Sequence, residues 1–471
     1  MAMAEMTEAP TRMPLRIPPV FWLALGVIAL ISLPNLRDPM IRHDDFPALL
    51  GHADAFWNKT LHEGRWLNYV WHLRDMITPA WLNFALYQIC WAIFATALAV
   101  AATRQDKSVP AAALMAALIL VAPPATLISL WFNTLLPGLA LVALYGVIVC
   151  CSPQPTARRL LPVFIVATFM AYTTYPLLLL ALCLAATQRR SLRDLFGLLS
   201  LFSASFIGAV LITYALNWQV HGIFGVPLAE WREAEPAESI AGLWANLSWV
   251  QTSFARFFEK AMLGSIPLLL VHGGCLLGAA LVMIRRAPME LVYFATGLLT
   301  GLALVVVQAA KLGVLVPPRA MIFLWVFYAA ILVRGAQLLS QDQTPLSRLG
   351  VVAAAILTLA YGAVTHQRYA GFQQWQTQTR SIGLALANLP GPVHVVGRAT
   401  QSAAGQSAGI QSDQALAYRL EQFSGHRIVL CQPTGIDCGD LPPHTSAGWQ
   451  VLRTGDTTRV IVPDDGAERP R

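Results

Sequence analysis

The chain has 471 residues, of which 56% are hydrophobic and only 12% charged. Soluble globular proteins carry about 25% charged residues, so a water-soluble enzyme or binding module is excluded as an account of the whole chain. The formal charge of +7 does not argue for nucleic acid, because the cations cluster at the ends of apolar runs instead of forming a continuous basic face.

Residues 1–16 are a short tail containing Arg12 and Arg16, and the first apolar run, Ile17–Leu36, follows it. That run lacks a small-residue cleavage site and further spans follow, so it reads as an uncleaved anchor. Ten more runs read as crossings of a hydrocarbon core about 30 Å thick. They are 79–102, 111–130, 135–151, 160–173, 175–187, 195–217, 262–284, 289–309, 320–339 and 349–365. The expected class is a polytopic α-helical membrane protein with about eleven transmembrane helices in residues 17–365. Arg158 and Arg159, Arg189, Arg190 and Arg193, and Arg285 and Arg286 mark cytosolic turns by the positive-inside rule. The N-terminus is then cytosolic and, for an odd number of crossings, the C-terminus lies outside.

Two runs are interrupted. "VAPPAT", residues 121–126, and "AYTTYP", residues 171–176, read either as proline kinks or as broken helices lining a cavity. The stretch from Arg159 to Arg189 goes in and returns, yet it is too short for two full crossings. Residues on the spans are almost free of ionisable groups, which argues against an ion-coupled transporter.

Three connections face outward: 37–78, 218–260 and 310–319. The second, with "EWREAEPAESIAGLWANLSWVQ", suggests amphipathic helices at the interface. From residue 366 to 471 the apolar content falls, and "PVHVVG", "HRIVLC", "WQVLRTG" and "RVIVP" read as strands. With helical stretches 372–389 and 413–423, and "ATQSAAGQSAG" as a flexible loop, this predicts a small α/β domain. Cys431 and Cys438 in "CQPTGIDC" would form a disulfide in an oxidising compartment; two cysteines at this spacing are too few for a metal site.

The chemistry-bearing residues sit in "IRHDDFPALLGHADAFWNKTLHEGRW", 41–66. Apolar residues at i, i+3 and i+4 spacing predict a short surface helix, with Asp44 and Asp45 just before it. One of these carboxylates caps that helix, or one serves as a general base while its neighbour orients a substrate, beside Arg42 and His43. Gly64 suits a helix C-cap, and Trp66, Tyr69 and Trp71 suit an interfacial belt. Arg65 either meets lipid headgroups or grips a phosphate or carboxylate. Lys311 and Arg319 in "KLGVLVPPRAMIF" either snorkel to headgroups or hold a lipid phosphate, with Pro317 and Pro318 fixing the chain before Arg319.

The long first outer loop with "DD" after span one, its amphipathic helix and "GRW" before span two resemble the GT-C glycosyltransferases. Within them the chain looks most like the bacterial O-antigen-converting glucosyltransferase family. The mid-membrane "YP" of Tyr175 and the "PPR" entering a late span are similar in placement. The resemblance covers roughly residues 17–365 and implies a GT-C-like fold with a small periplasmic α/β domain. It also implies an inner-membrane enzyme that transfers a sugar, glucose by the family's habit, from a polyprenyl-phosphate carrier to a surface glycan such as O-antigen. Its partners would be an enzyme that makes polyprenyl-phosphate glucose, and a flippase. Asp44 or Asp45 would be the base; His43, Arg65, Trp66, Tyr175, Lys311 and Arg319 would bind sugar or lipid phosphate. No cofactor is required; a divalent metal is compatible with the chemistry, but no His or Cys ligand set argues for one. The rivals are a lipid-linked sugar flippase and a polysaccharide polymerase or ligase.

Overall fold

The structure is a computed structural model that describes residues 17–74, 76–103, 108–342, 344, 346–431, 448–455 and 457–464. Among these, eight helices are long and apolar enough to cross a membrane. They account for eight of the eleven expected crossings. The other three expected runs are also helical but shorter: Val109–Leu120, Gln154–Phe169 and Tyr175–Ala186. At 1.5 Å per residue a twelve-residue helix is only about 18 Å long, well short of a hydrocarbon core.

The chain itself explains how short helices are tolerated. Both interruptions fall where the prolines put them. Val109–Leu120 stops before "APP" and a short helix, Pro123–Ile128, restarts on Pro123 and Pro124. Gln154–Phe169 stops before a turn, and Tyr175–Ala186 restarts with Pro176 in its first turn. The backbone freed at the second break is met by the first loop. Leu67 N–H donates to Met170 O at 3.2 Å, and Asn68 Nδ2 donates to Ala171 O at 3.0 Å. Exposed backbone in an apolar medium costs several kcal/mol, so this contact is what lets the helix pair end early. Gly138 admits the turn, since a Cβ there would stand 2.4 Å from the Cβ of Ala171.

The bundle closes around the span Pro318–Ser340, whose apolar window is 94% buried and which includes the helix Ile322–Ser340. Gly297 and Gly301 on Pro288–Leu312 let it approach: a Cβ at either would press into the ring of Phe327 or Phe323 at 2.4 or 2.2 Å. Serine caps start several helices, Ser108, Ser191 and Ser265 each accepting an N–H three residues on. The expectation that the spans are almost free of ionisable groups needs correcting. Glu290 and Arg334 are 3% and 2% exposed and form an ion pair at 2.6 Å. His272, 2% exposed, lies between the hydroxyls of Tyr328 and Tyr361.

The end of the bundle with short connections is called here the turn end, and the other the loop end. The first loop, residues 222–265 and the C-terminal domain all gather at the loop end. The domain is a four-stranded sheet in the order β2-β1-β4-β3: β1 Val393–Val396, β2 Ile428–Leu430, β3 Gln450–Thr454 and β4 Thr457–Ile461. β1 is central and runs parallel to β2 and β4, whereas β3 and β4 form a hairpin. Helices Gln373–Leu386 and Gln414–Ser424 pack beside one another. All four expected strands and both expected helices are present. "ATQSAAGQSAG" is not a plain loop: residues Ala403–Ser407 are helical, because Ser402 accepts the Gly405 N–H at 3.1 Å. Cys431 is disulfide-bonded, while Cys438 lies outside the described residues.

The domain is latched to the first loop. The Asp38 carboxylate accepts two hydrogen bonds from Arg419, at 2.9 and 2.5 Å, and Arg419 is 2% exposed. Gln376 adds a bond to Asn35 at 2.9 Å.

Candidate functional site

The first loop forms three short helices, Pro47–Leu50, Asp54–Glu63 and Trp66–His72, with Gly64 as the expected C-cap of the second at φ 67°. The turn at Asp44 and Asp45 sends the two carboxylates in different directions. Asp45 is fully buried and caps a helix, but not the one that follows it. Its oxygens accept from Thr134 N at 2.7 Å, Asn133 N at 3.0 Å and Asn133 Nδ2 at 2.9 Å. These donors start the helix Phe132–Cys151, whose N-terminal dipole favours an anion. Burial pushes the Asp45 carboxyl up to about 6, against the pull of the Thr134 and Asn133 bonds. It remains mostly ionised at neutral pH, saturated with donors and closed to substrate.

Asp44 remains accessible, with a side chain 33% exposed. Its Oδ1 accepts from Trp131 Nε1 at 2.5 Å, and its Oδ2 lies 3.4 Å from Lys59 Nζ. Lys59 is itself fixed by a 2.7 Å bond to the Asp44 carbonyl. Burial alone would raise the Asp44 carboxyl; Lys59, His43 and Arg65 outweigh it, with the Trp131 bond, and hold it below the ordinary carboxylate value. Burial lowers the His43 pKa below its ordinary value more than Asp44 raises it. A partly exposed, ionised carboxylate with one fixed orientation is suited to accept a proton from a hydroxyl.

Trp131 is also held from its faces. The Arg319 guanidinium stands 4.0 Å from the ring centroid and that of Arg42 5.7 Å. Arg42 in turn donates to the carbonyl of Gly409 in the C-terminal domain. Arg319 therefore reaches the site through the indole, as a cation–π partner, and does not line the cavity described next.

That cavity, about 410 Å³, opens beside Arg65. Its polar end holds His62, Glu63, Arg65, Arg232 and Lys311; its apolar end holds Phe169, Leu177, Phe206, Val210, Leu304 and Val307. The apolar residues come from the membrane-spanning helices Leu192–His221 and Pro288–Leu312 and from the broken pair. Val307, among these apolar residues, is 61% exposed. Arg65 pairs with Glu63 at 2.6 Å and lies over the ring of Tyr172 at 5.5 Å. Burial would raise the Glu63 carboxyl, and Arg65, Lys59 and Arg232 hold it below its ordinary value. Lys311 donates to the Ala237 carbonyl. Asp44 and Arg65 attract one another electrostatically, so carboxylate and cavity form one charged region.

Of the sequence candidates, Arg65 and Lys311 line the cavity, and Asp44, with His43 next to it, lies beside it. Asp45 and Arg319 are the supports just described. Trp66 is neither an interfacial belt residue nor a lining one. It is 8% exposed, and its Nε1 donates to Asn217 at 2.9 Å, joining the first loop to the end of helix Leu192–His221. Tyr175 is 1% exposed and packs behind Tyr172, with centroids 5.3 Å apart and the rings tilted by 59°; it is Tyr172 that faces the cavity. Sequence reasoning missed Lys59, Glu63, Trp131, Tyr172 and Arg232 as site residues. Tyr172 and Glu63 lie inside motifs already singled out, "AYTTYP" and "EGRW". Trp131 and Lys59 carry no local signal.

Among the described residues, no three His, Cys, Asp or Glu side chains gather as a metal-binding group. No protein-family model matches the chain, and no curated protein matches its sequence.

Proposed function

We propose that this protein is a GT-C-like glycosyltransferase of the bacterial inner membrane. It transfers a sugar, glucose as first choice, from a polyprenyl-phosphate carrier to a surface glycan. In this reading the loop end is periplasmic, the N-terminus cytosolic and the chain crosses the membrane eleven times, with three shortened crossings, two of which meet the first loop at their break. The observation that carries it is the pairing of an accessible ionised carboxylate, Asp44, with a cavity that is cationic at one end and apolar at the other. A lipid phosphate has that same division of charge and grease.

The chemistry is a displacement at the anomeric carbon. Asp44 takes the proton of the acceptor hydroxyl as its oxygen attacks; the bond from the anomeric carbon to the phosphate oxygen breaks, and its electrons leave on the phosphate. The phosphate needs cations and not a proton, which suits Arg65 and Lys311. Lys59 and Trp131 keep the base ionised and aimed. The C-terminal domain, tied to the loop through Arg42 and Arg419, lies where an acceptor glycan would approach. An enzyme that charges the carrier and a flippase that turns it over would act before this one.

The test is sugar transfer from polyprenyl-phosphate glucose to glycan in membranes, comparing wild type with Asp44→Asn at matched expression. Loss of a general base typically costs about 10²–10⁴-fold, with donor binding retained. Full transfer by the variant would remove Asp44 from the mechanism.

A further inference from the structure

The cavity holds three cations, Arg65, Arg232 and Lys311, against one carboxylate, Glu63. Two of the cations are engaged at short range, Arg65 by Glu63 at 2.6 Å and Lys311 by the Ala237 carbonyl. Arg232 is engaged only loosely. Its ion pair with Glu63 stands at 4.0 Å, and its Nε is buried without a hydrogen-bond partner.

Nor is Arg232 a loose surface side chain. It ends the short 3-10 turn Glu230–Arg232 and lies over the Trp231 ring at 4.8 Å. Upstream, Pro227 O meets His62 Nδ1 at 3.1 Å. Downstream, Ala237 N–H donates to Lys311 O at 2.8 Å and Glu235 N–H to Gly313 O at 3.4 Å. Gly313, at φ 59°, is required there, because a Cβ would strike the Glu235 carbonyl. The loop is thus pinned on both sides, and the guanidinium is presented to the cavity with coordination to spare.

The surplus is two positive charges, which is more than an intact donor needs. A sugar–phosphate–lipid diester carries one negative charge. When the bond to the sugar breaks, the lipid phosphate becomes a monoester with a second pKa of about 6, and its charge at neutral pH approaches two. We propose that Arg232 and Arg65 form a clamp selective for a phosphate monoester over a diester, so that the leaving lipid phosphate is held more tightly than the donor. This rests on the reading of the cavity as a lipid-phosphate site and adds Arg232 and a preference to it. Attraction that grows as the bond breaks lowers the barrier. It also makes the released carrier an inhibitor until it diffuses away.

Binding can be measured without any transfer reaction. Farnesyl phosphate and its methyl diester would be titrated into the full-length protein in lipid nanodiscs at pH 8, following tryptophan fluorescence. Wild type should bind the monoester about tenfold more tightly or better, the value of one extra charge at short range. Arg232→Gln should bring the two affinities to within about twofold, and Arg232→Lys should retain part of the preference. Thermal unfolding of each variant would verify that the protein is intact. Equal wild-type affinities, or a ratio unchanged in Arg232→Gln, would overturn the clamp and leave the lipid-phosphate site standing. Failure of the wild type to bind either lipid would bring down that site and the clamp together.

Discussion

The two ends of the bundle treat buried charge differently. At the turn end, the acids are fully paired. Asp194 accepts from both Arg158 nitrogens, at 2.5 and 2.7 Å, and from the Tyr293 hydroxyl at 2.8 Å. Glu290 lies between Arg334 at 2.6 Å and Arg190 at 3.3 Å, and Gln337 takes a further Arg334 nitrogen. At the loop end, the Arg319 guanidinium faces an indole, Arg232 stands off its acid at 4.0 Å and Asp44 keeps a third of its side chain in the open. Desolvated charges cost several kcal/mol each unless they are satisfied. The acids of the turn end are met within the protein; the loop end leaves part of that cost to be met by something that binds.

This contrast can be broken most severely at the closed end. Arg334→Met leaves Glu290 with Arg190 alone, and unpairing a buried ion typically costs about 3–5 kcal/mol. The thermal unfolding midpoint in detergent should fall sharply, while transfer per folded molecule stays close to wild type. A large loss of specific transfer with unchanged stability would reverse the assignment of the two ends.

Asp45 sharpens it from the other side, as a closed acid within the open end. Asp45→Ala removes the acceptor for three donors at the start of helix Phe132–Cys151, and loss of such a cap costs about 1–2 kcal/mol. Denaturation in detergent should show that loss. Transfer should drop far less than in Asp44→Asn, because Asp45 is fully buried and closed to substrate. Equal losses of transfer in the two variants, at matched folding, would make Asp45 a participant.

The gentlest perturbation is Lys59→Met. Removing the ammonium leaves the burial that raises the Asp44 carboxyl and deletes the first of the groups that lower it. A carboxylate held below its ordinary value of 3.8 stays a competent base as the medium is acidified past that point. In the variant the acid limb of the pH–rate profile should move upward, so activity falls at mildly acidic pH where wild type is unaffected. Rates near neutral pH should change little. An unmoved limb would mean that another group limits the acid side.

What could be read from the chain was whatever has a local pattern. The apolar runs, the proline breaks at 121–126 and 171–176 and the four strands each depend on neighbours within a few positions. Gly64 announced its cap in the same way. Crossing lengths were not readable, because the break between Gln154–Phe169 and Tyr175–Ala186 is satisfied by Leu67 and Asn68 arriving from a distant loop. Nor was the division of labour between Asp44 and Asp45. The donors that claim Asp45 lie 88 and 89 positions away, and Trp131, which claims Asp44, lies 87 away. Sequence could mark the pair as worth asking about; only tertiary structure separates the open acid from the closed one.

The latch between Asp38 and Arg419 joins residues 381 positions apart. Asp38 therefore leaves a ribosome long before Arg419. In that interval the loop that carries Asp44 waits without its brace, and Arg42 waits for the carbonyl of Gly409. A chain that stopped before Gly409 would lack both braces behind the loop. The first loop and the C-terminal domain are therefore finished together, and the shape of the site is settled only once both have been made.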